Sequence, residues 1–107
     1  MKPQGAKAKG SRAEREVVEI WRRHGYNVHR TPYSGALWWQ KGDLAGLKDF
    51  HVEVKHQERL CLPEWIRTAE AQAHEKIALV VFRQNRGEWQ VCLKLEDFLG
   101  LLERSDG

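Results

Sequence analysis

The alternation of apolar and polar residues at positions 50–55 is the feature that most constrains the fold. One side of an extended chain would carry the apolar side chains of Phe50, Val52 and Val54. The other side would carry the polar side chains of His51, Glu53 and Lys55. A period of two is typical of a β-strand with one buried face. The stretch therefore predicts such a strand, with a carboxylate and an ammonium group side by side on its polar face.

A second short strand is predicted at residues 43–45, joined to the first by a glycine-containing turn. If this hairpin folds about Lys48, Asp43 lies opposite Glu53, where cross-strand side chains approach to about 5 Å. Two carboxylates that close need a cation between them. Mg²⁺ suits such an oxygen-ligand site because it retains several waters. Spacing thus predicts a metal site, and the alternative is that Glu53 and Lys55 are only two exposed residues on the solvent-facing side of a sheet.

The remaining elements predict an α/β fold with the element order αβββαββα. Before the hairpin come a helix at about 11–24 that ends at Gly25, a strand at 26–30 and a loop at 31–42. After it come a helix from Pro63 to about 76, an apolar strand at 77–82, a strand at 89–94 and a short helix at 95–102. A strand–helix–strand succession places its two strands in parallel. The pattern therefore predicts a mixed sheet with helices on both faces.

Length and composition limit the class of protein. The 107 residues suffice for one domain with a modest core, and a 41% apolar and 31% charged composition is typical of soluble globular proteins. No apolar run approaches the roughly 20 residues of a membrane helix, and no signal-peptide pattern is visible. Cys61 and Cys92 are far apart without zinc-site spacing. We therefore expect free thiols in a reducing cytoplasm.

The N-terminal residues are basic. The formal net charge is +3 and the pI is near 9.0. Four basic residues precede the first acidic residue, Glu14: Lys2, Lys7, Lys9 and Arg12. Residues 1–9 also lack an apolar period, which predicts a basic flexible arm before a single domain at 10–107. Such an arm can contact nucleic-acid phosphates, or it can simply be a solvated tail.

The side chains of Glu14 and His51 each admit more than one interpretation. Ser11 and Glu14 have the spacing of a capping box, in which the glutamate bonds back to the first residue of a helix. Glu14 could instead supply a third acid to the metal site from the first helical turn. His51 shares a strand face with Glu53 and is a candidate substrate contact, although an isolated histidine is more often an ordinary surface or core residue.

These motifs together resemble the PD-(D/E)xK nuclease superfamily, and within it the small archaeal and phage Holliday-junction resolvases. The resemblance spans about 9–102 and lies in the segment 9–16, in Arg30, in Ser34 and Gly35, in Gly42 and Asp43, and in Glu53, Val54 and Lys55. The chain departs from the family pattern at Gly42, where proline is usual, and at Trp38 and Trp39, which lengthen the loop. The resemblance implies a restriction-endonuclease-like sheet.

The resemblance also implies a set of functional residues. The catalytic set would be Glu14, Ser34, Asp43, Glu53 and Lys55. The cofactor would be Mg²⁺, with Mn²⁺ as a substitute, held by Asp43, Glu53, the Val54 carbonyl and Glu14. Contacts to DNA phosphates would come from Lys7, Lys9, Arg12, Arg15 and Arg30.

The expected function is phosphodiester hydrolysis by a structure-selective DNA endonuclease that resolves four-way junctions with paired symmetric nicks. Since one small domain offers one active site, this activity implies a C2 homodimer. The resemblance places the protein in the cytoplasm of a bacterial, archaeal or phage-infected cell. One alternative keeps the chemistry but acts on flaps, nicks or restriction sites. The other is a DNA-binding module without turnover.

Overall fold

The computed structural model describes the backbone of residues 3–31 and 42–106 and the side chains of residues 9–31 and 42–105. The helices are α1 (Pro3–Arg23), α2 (Leu62–Ala73) and α3 (Leu95–Asp106). The strands are β1 (His29–Arg30), β2 (Leu44–Ala45), β3 (Phe50–His56), β4 (Ile77–Arg83) and β5 (Gln90–Cys92). This succession confirms the predicted element order.

The strands form a mixed five-stranded sheet in the order β1-β2-β3-β4-β5 among the described residues. Strands β3 and β4 are parallel, as the crossover through α2 requires, and every other neighbouring pair is antiparallel. Because β4 lies inside the sheet and is covered by helices on both faces, its residues from Ala78 to Phe82 are all buried. The predicted α/β class is confirmed.

Two apolar clusters lie on opposite faces of the sheet. The first joins α1 to the sheet through Ala13, Val17, Val18, Val52, Val54, Leu79 and Val81. The second joins α2 to the sheet through Ala69, Ala73, Ala78, Val80 and Phe82. Since successive strand residues point to opposite faces, Glu53 and Lys55 lie on the face that α2 covers. The polar face of β3 is therefore bounded by a helix rather than open to solvent along its whole length.

The expected start of the first helix is wrong. Helix α1 begins at Pro3, so residues 3–9 are helical instead of forming the loose arm that the sequence predicted. Alanine and lysine at positions 6–9 favour a helix, and this propensity does not require an apolar period. Ser11 consequently lies inside the helix, and the capping-box interpretation of Glu14 is wrong.

The β2–β3 hairpin positions the predicted site. Leu44 pairs with Val52, which is the register of a hairpin that folds about Lys48, as predicted. The turn depends on Gly46, whose φ is +102° and whose missing Cβ would lie 2.4 Å from the Asn27 carbonyl oxygen. A side chain at this position would force β1 and the hairpin apart, so the register of the site depends on this glycine.

Other element bounds differ in detail from the expectation. β1 and β5 are shorter than predicted, α2 begins at Leu62 and ends at Ala73, and α3 continues to Asp106. The apolar residues of α3 stay largely exposed: Leu95, Phe98, Leu99 and Leu102. The predicted loop residues Ser34, Trp38 and Trp39 lie outside the described residues. None of the described helices is long and apolar enough to cross a membrane.

Candidate active site

Asp43 is fixed by the backbones of its two neighbouring strands. Its N–H donates to the Val52 carbonyl oxygen at 2.8 Å, and its carbonyl oxygen accepts from the Thr31 N–H at 3.0 Å. Its side-chain Oδ2 accepts from the Val54 N–H at 2.7 Å. Because three backbone groups hold the residue, the second carboxylate oxygen, Oδ1, has a defined position. It makes no hydrogen bond to any residue that the structure describes.

Glu53 is held by a histidine on its own strand. The His51 Nε2 and the Glu53 Oε2 are 2.8 Å apart, and the His51 side chain is almost wholly buried. The expectation that His51 contacts substrate is therefore unsupported by its burial, since its ring faces Glu53 instead of solvent. Within the described residues Glu53 Oε1 makes no hydrogen bond. Each carboxylate of the Asp43–Glu53 pair thus has one oxygen engaged and one available.

Glu14 reaches the site from α1. Its Oε1 accepts from the Nε of Arg30 at 3.0 Å, and the Arg30 Nη2 donates to the Ser11 Oγ at 3.1 Å. Arg30 therefore holds the Glu14 side chain by an ion pair while Ser11 holds the far end of the guanidinium. Arg30 was predicted only as a DNA contact, and the structure adds this contact with a predicted catalytic residue.

Lys55 faces the aromatic ring of Trp65, a residue that was not predicted to lie at the site. The Lys55 Nζ lies 5.7 Å from the centre of the Trp65 ring on α2, a distance at which a cation and an aromatic face attract. A signal was present in the sequence, since a crossover helix must lie against the strand that precedes it. Nothing in the spacing identified which residue of that helix would face Lys55.

The charges around Asp43 are unbalanced. Burial, and then the nearby Glu53 carboxylate, raise the pKa of Asp43 from 3.8 to about 7. The Glu14 carboxylate raises the pKa further, while the Val54 N–H and the Lys55 ammonium act in the opposite direction. Two further acids therefore act on Asp43, and the ammonium group of Lys55 does not compensate for them. A cation bound here would relieve the repulsion.

The donor chemistry fits a hard divalent cation. Among the described residues, no group of three or more histidine, cysteine, aspartate or glutamate side chains has the arrangement of a metal centre. Mg²⁺ does not require such a group, because it commonly uses one or two carboxylates and keeps several waters. The available oxygens of Asp43 and Glu53 match that requirement. The pair is a smaller ligand set than a closed protein cage.

The remaining predicted residues that the structure describes lie mainly on α1. Lys7 lies within α1, and Arg12 and Arg15 are exposed on the same helix, with Lys9 half-buried near its start. Ser34 lies outside the described residues. Cys61 and Cys92 are free thiols, as predicted. The structure thus brings Glu14, Asp43, Glu53 and Lys55 together and leaves the basic residues on the neighbouring helix.

An aspartate preceding one strand, opposite an E-x-K strand of a mixed sheet flanked by helices, defines the PD-(D/E)xK superfamily of nucleases, to which this chain belongs. More particularly, residues 5–105 match the family described as "Phage putative PDDEXK endonuclease". Because the match covers nearly the whole chain, the protein is a member of this endonuclease family.

A solved structure supports the same fold. Hjc of Archaeoglobus fulgidus, a Holliday junction resolvase from an archaeal hyperthermophile, is similar to this chain with a TM-score of 0.56. The two sequences are 18% identical, and the similarity covers 78% of this chain and 76% of Hjc. At this identity the similarity shows the fold. No curated protein matches the sequence.

Proposed function

We propose that the protein is a Mg²⁺-dependent, structure-selective DNA endonuclease that resolves Holliday junctions with paired symmetric nicks. The observation that carries the proposal is the group of acids at Asp43. The carboxylates of Glu53 and Glu14 act on Asp43, whose pKa is raised to about 7. Acids that repel one another in a fixed geometry are typical of a site that binds a cation. The fold shared with Hjc supports a four-way junction as the substrate.

In this proposal Asp43 and Glu53 hold the ion, with the Val54 carbonyl as a third protein ligand and Glu14 close by. Mn²⁺ would substitute for Mg²⁺. When bound, such an ion supplies Lewis-acid stabilisation of the phosphate charge and lowers the pKa of a bound water. The carboxylate oxygens that make no hydrogen bond to described residues are the ones available for this role.

Lys55 and Glu14 are the other proposed participants at the reacting phosphate. The Lys55 ammonium would orient the attacking water or stabilise negative charge that develops on the phosphate oxygens. The hydrogen bond from Arg30 would hold the Glu14 carboxylate beside the site. Ser34, in the loop predicted at 31–42, is proposed as a further catalytic residue.

DNA would contact the basic residues that precede the site. Lys9, Arg12 and Arg15 recur at every third position, so they follow one side of α1, and Lys7 lies earlier in the same helix. Arg30 would join them at the end of β1. Each phosphate neutralised should add about −0.9 to the slope of log affinity against log salt. These contacts carry no base sequence information.

Paired nicks require two active sites with matched orientation. We propose that residues 10–107 form one nuclease domain and that two copies associate about a two-fold axis. The exposed apolar residues of α3 and the Trp38–Trp39 pair are candidate surfaces for this contact. The proposal places the enzyme in the cytoplasm of a bacterial, archaeal or phage-infected cell, where branched DNA arises.

The first test is cleavage of a labelled immobile four-way junction beside a linear duplex of the same sequence. Each substrate is incubated with Mg²⁺, with EDTA, and with Asp43→Asn in place of the native protein. We expect paired symmetric nicks on the junction alone, with loss of cutting in both controls. Binding of the junction by Asp43→Asn and Glu53→Gln should stay close to that of the native protein, because the phosphate contacts are elsewhere.

Three outcomes separate the alternatives. Equal cutting of junction and duplex would keep the nuclease and remove the resolvase. Tight junction binding without cutting under Mg²⁺ or Mn²⁺ would leave a DNA-binding module. Loss of binding in parallel with cutting in Asp43→Asn would contradict the separation of metal and phosphate contacts.

A further inference from the structure

We propose that His51 is a positioning residue that orients Glu53 for metal binding, and that Gly42 provides the space its ring occupies. The inference rests on the proposed function, since it concerns how the Asp43–Glu53 pair receives a cation. It adds a residue outside the Asp, Glu and Lys set. His51 is 4% exposed, so it acts on Glu53 and not on substrate.

The contact is direct and local. His51 Nε2 lies 2.8 Å from Glu53 Oε2, and the two residues are separated by one on the same strand. Side chains two apart on a strand share a face, and a rise of about 3.3 Å per residue makes them neighbours. With an ionised Glu53, the imidazole must carry its proton on Nε2 and donate it. This bond restricts the glutamate rotamer and engages Oε2, while Oε1 makes no hydrogen bond within the described residues.

The surroundings of the ring explain why it keeps this orientation. A Cβ at position 42 would lie 3.2 Å from His51 Cε1 and 3.3 Å from Nδ1. Gly42 has a φ of +87°, a conformation that L side chains rarely adopt. The ring therefore packs directly against backbone at the residue that precedes Asp43. One imidazole thus touches the backbone next to one acid and the side chain of the other.

This packing gives the departure at Gly42 a physical reason. A proline at that position would fix φ near −65°, which is incompatible with the observed φ of +87°. Gly42 and His51 are consequently a matched pair, in which the missing side chain of one makes room for the other. Groups that hydrogen-bond to metal ligands typically change metal affinity or activity by about 10- to 100-fold when removed.

The test compares His51→Leu, which keeps volume but removes the donor, with His51→Gln, whose amide nitrogen can replace Nε2. His56→Leu is the matched control, because His56 lies on the same strand and bonds to Asn85 instead of an acid. Mn²⁺ binding is measured by calorimetry without DNA, and thermal melting in EDTA verifies folding. We expect about 10- to 100-fold weaker Mn²⁺ binding for His51→Leu. Binding by His51→Gln and His56→Leu should stay within about threefold of the native value.

The outcomes distinguish failure of the proposed metal site from failure of the proposed role of His51. Native Mn²⁺ binding that Asp43→Asn does not weaken would overturn the proposed metal site itself. Asp43-dependent binding that His51→Leu leaves unchanged would overturn the role of His51 alone. If His51→Leu does not fold, the imidazole tautomer of the native protein, measured by ¹⁵N NMR, decides. We expect a proton on Nε2, and a proton on Nδ1 alone would contradict the proposal.

Discussion

Two glutamates on α1, Glu14 and Glu16, lie in opposite electrostatic settings. Glu16 Oε1 accepts from the Nη1 of Arg83 at 3.2 Å and from the Nε1 of Trp89 at 3.3 Å. Arg83 also lies 5.6 Å from the centre of the Trp89 ring. We call Glu16, Arg83 and Trp89 the Glu16 corner. In it, one negative charge meets one positive charge and one N–H donor. The Glu16 corner is balanced.

Glu14 belongs to a group in which acids outnumber cations. It has Arg30 as a partner, yet its charge still acts on Asp43, as does that of Glu53. Folding gains nothing from this repulsion, so the geometry must be imposed by the hairpin and the α1 packing. The charges of the Glu16 corner are paired within the fold, whereas the unbalanced acids around Asp43 fit the proposal that they hold a cation. Glu16 therefore has a structural role, through its contacts with Arg83 and Trp89.

The largest expected effect is the pH dependence of stability in the metal-free protein. The pKa of Asp43 is raised from 3.8 to about 7 in the folded state, chiefly by burial and Glu53. The folded state therefore binds a proton that the unfolded state has released between these pH values. The Asp43 contribution to stability is fully present below about pH 4 and is lost as pH rises through about 7. A shift of this size corresponds to about 4 kcal/mol.

Asp43→Asn should remove this dependence, because an amide can still accept from the Val54 N–H without becoming charged. Unfolding by urea in EDTA at pH 5 and pH 8 measures the difference. We expect the variant to be more stable than the native protein at pH 8, and this difference to be clearly smaller at pH 5. Added Mg²⁺ should stabilise only the native protein. Equal stabilities at pH 8 would show that the acids around Asp43 are as balanced as the Glu16 corner.

The sequence was most informative where local pattern and sheet register agree. The alternation from Phe50 to Lys55 and the turn about Lys48 placed Asp43 opposite Glu53, and the observed pairing of Leu44 with Val52 has that register. The parallel pairing of β3 with β4 followed from a helix between two strands. Both inferences depend on backbone geometry, which the period of apolar residues reports directly.

The sequence was least informative where one pattern fits two environments. Ser11 and Glu14 have the spacing of a capping box, but the same spacing occurs inside a helix, and α1 begins at Pro3. His51 alternates with apolar residues as an exposed residue would, yet its burial depends on the space left by Gly42. Contacts of this kind are tertiary, because they depend on where the preceding turn places residue 42.

An intermediate effect is expected at Trp65, which bounds the acid group on the side of Lys55. The ring lies 5.7 Å from the Lys55 Nζ and limits the positions that the ammonium can take. Trp65→Ala should lower kcat for junction cleavage by about tenfold, consistent with a loss of 1–2 kcal/mol of cation–π attraction. KM should change little if the ring acts only through Lys55.

Trp65→Phe is the matched variant, because it keeps an aromatic face at the same position. We expect it to recover most of the native kcat. If both variants weaken junction binding in parallel with kcat, the ring contacts DNA and does not act through Lys55. An unchanged melting temperature in EDTA would show that neither result comes from lost packing in the apolar cluster between α2 and the sheet.

The smallest effect is expected in the Glu16 corner. The Arg83 and Glu16 side chains are 23% and 41% exposed, so solvent screens their attraction. A double-mutant cycle with Glu16→Gln and Arg83→Met should give a coupling energy of about 0.5–1 kcal/mol that decreases in 1 M salt. Glu16→Gln should leave junction cleavage within about twofold of native, since Glu16 contacts Arg83 and Trp89 instead of the acids. A loss of cleavage comparable with that of Asp43→Asn would mean that the two glutamates of α1 serve one site, and the contrast between a structural and a ligand-binding carboxylate would be wrong.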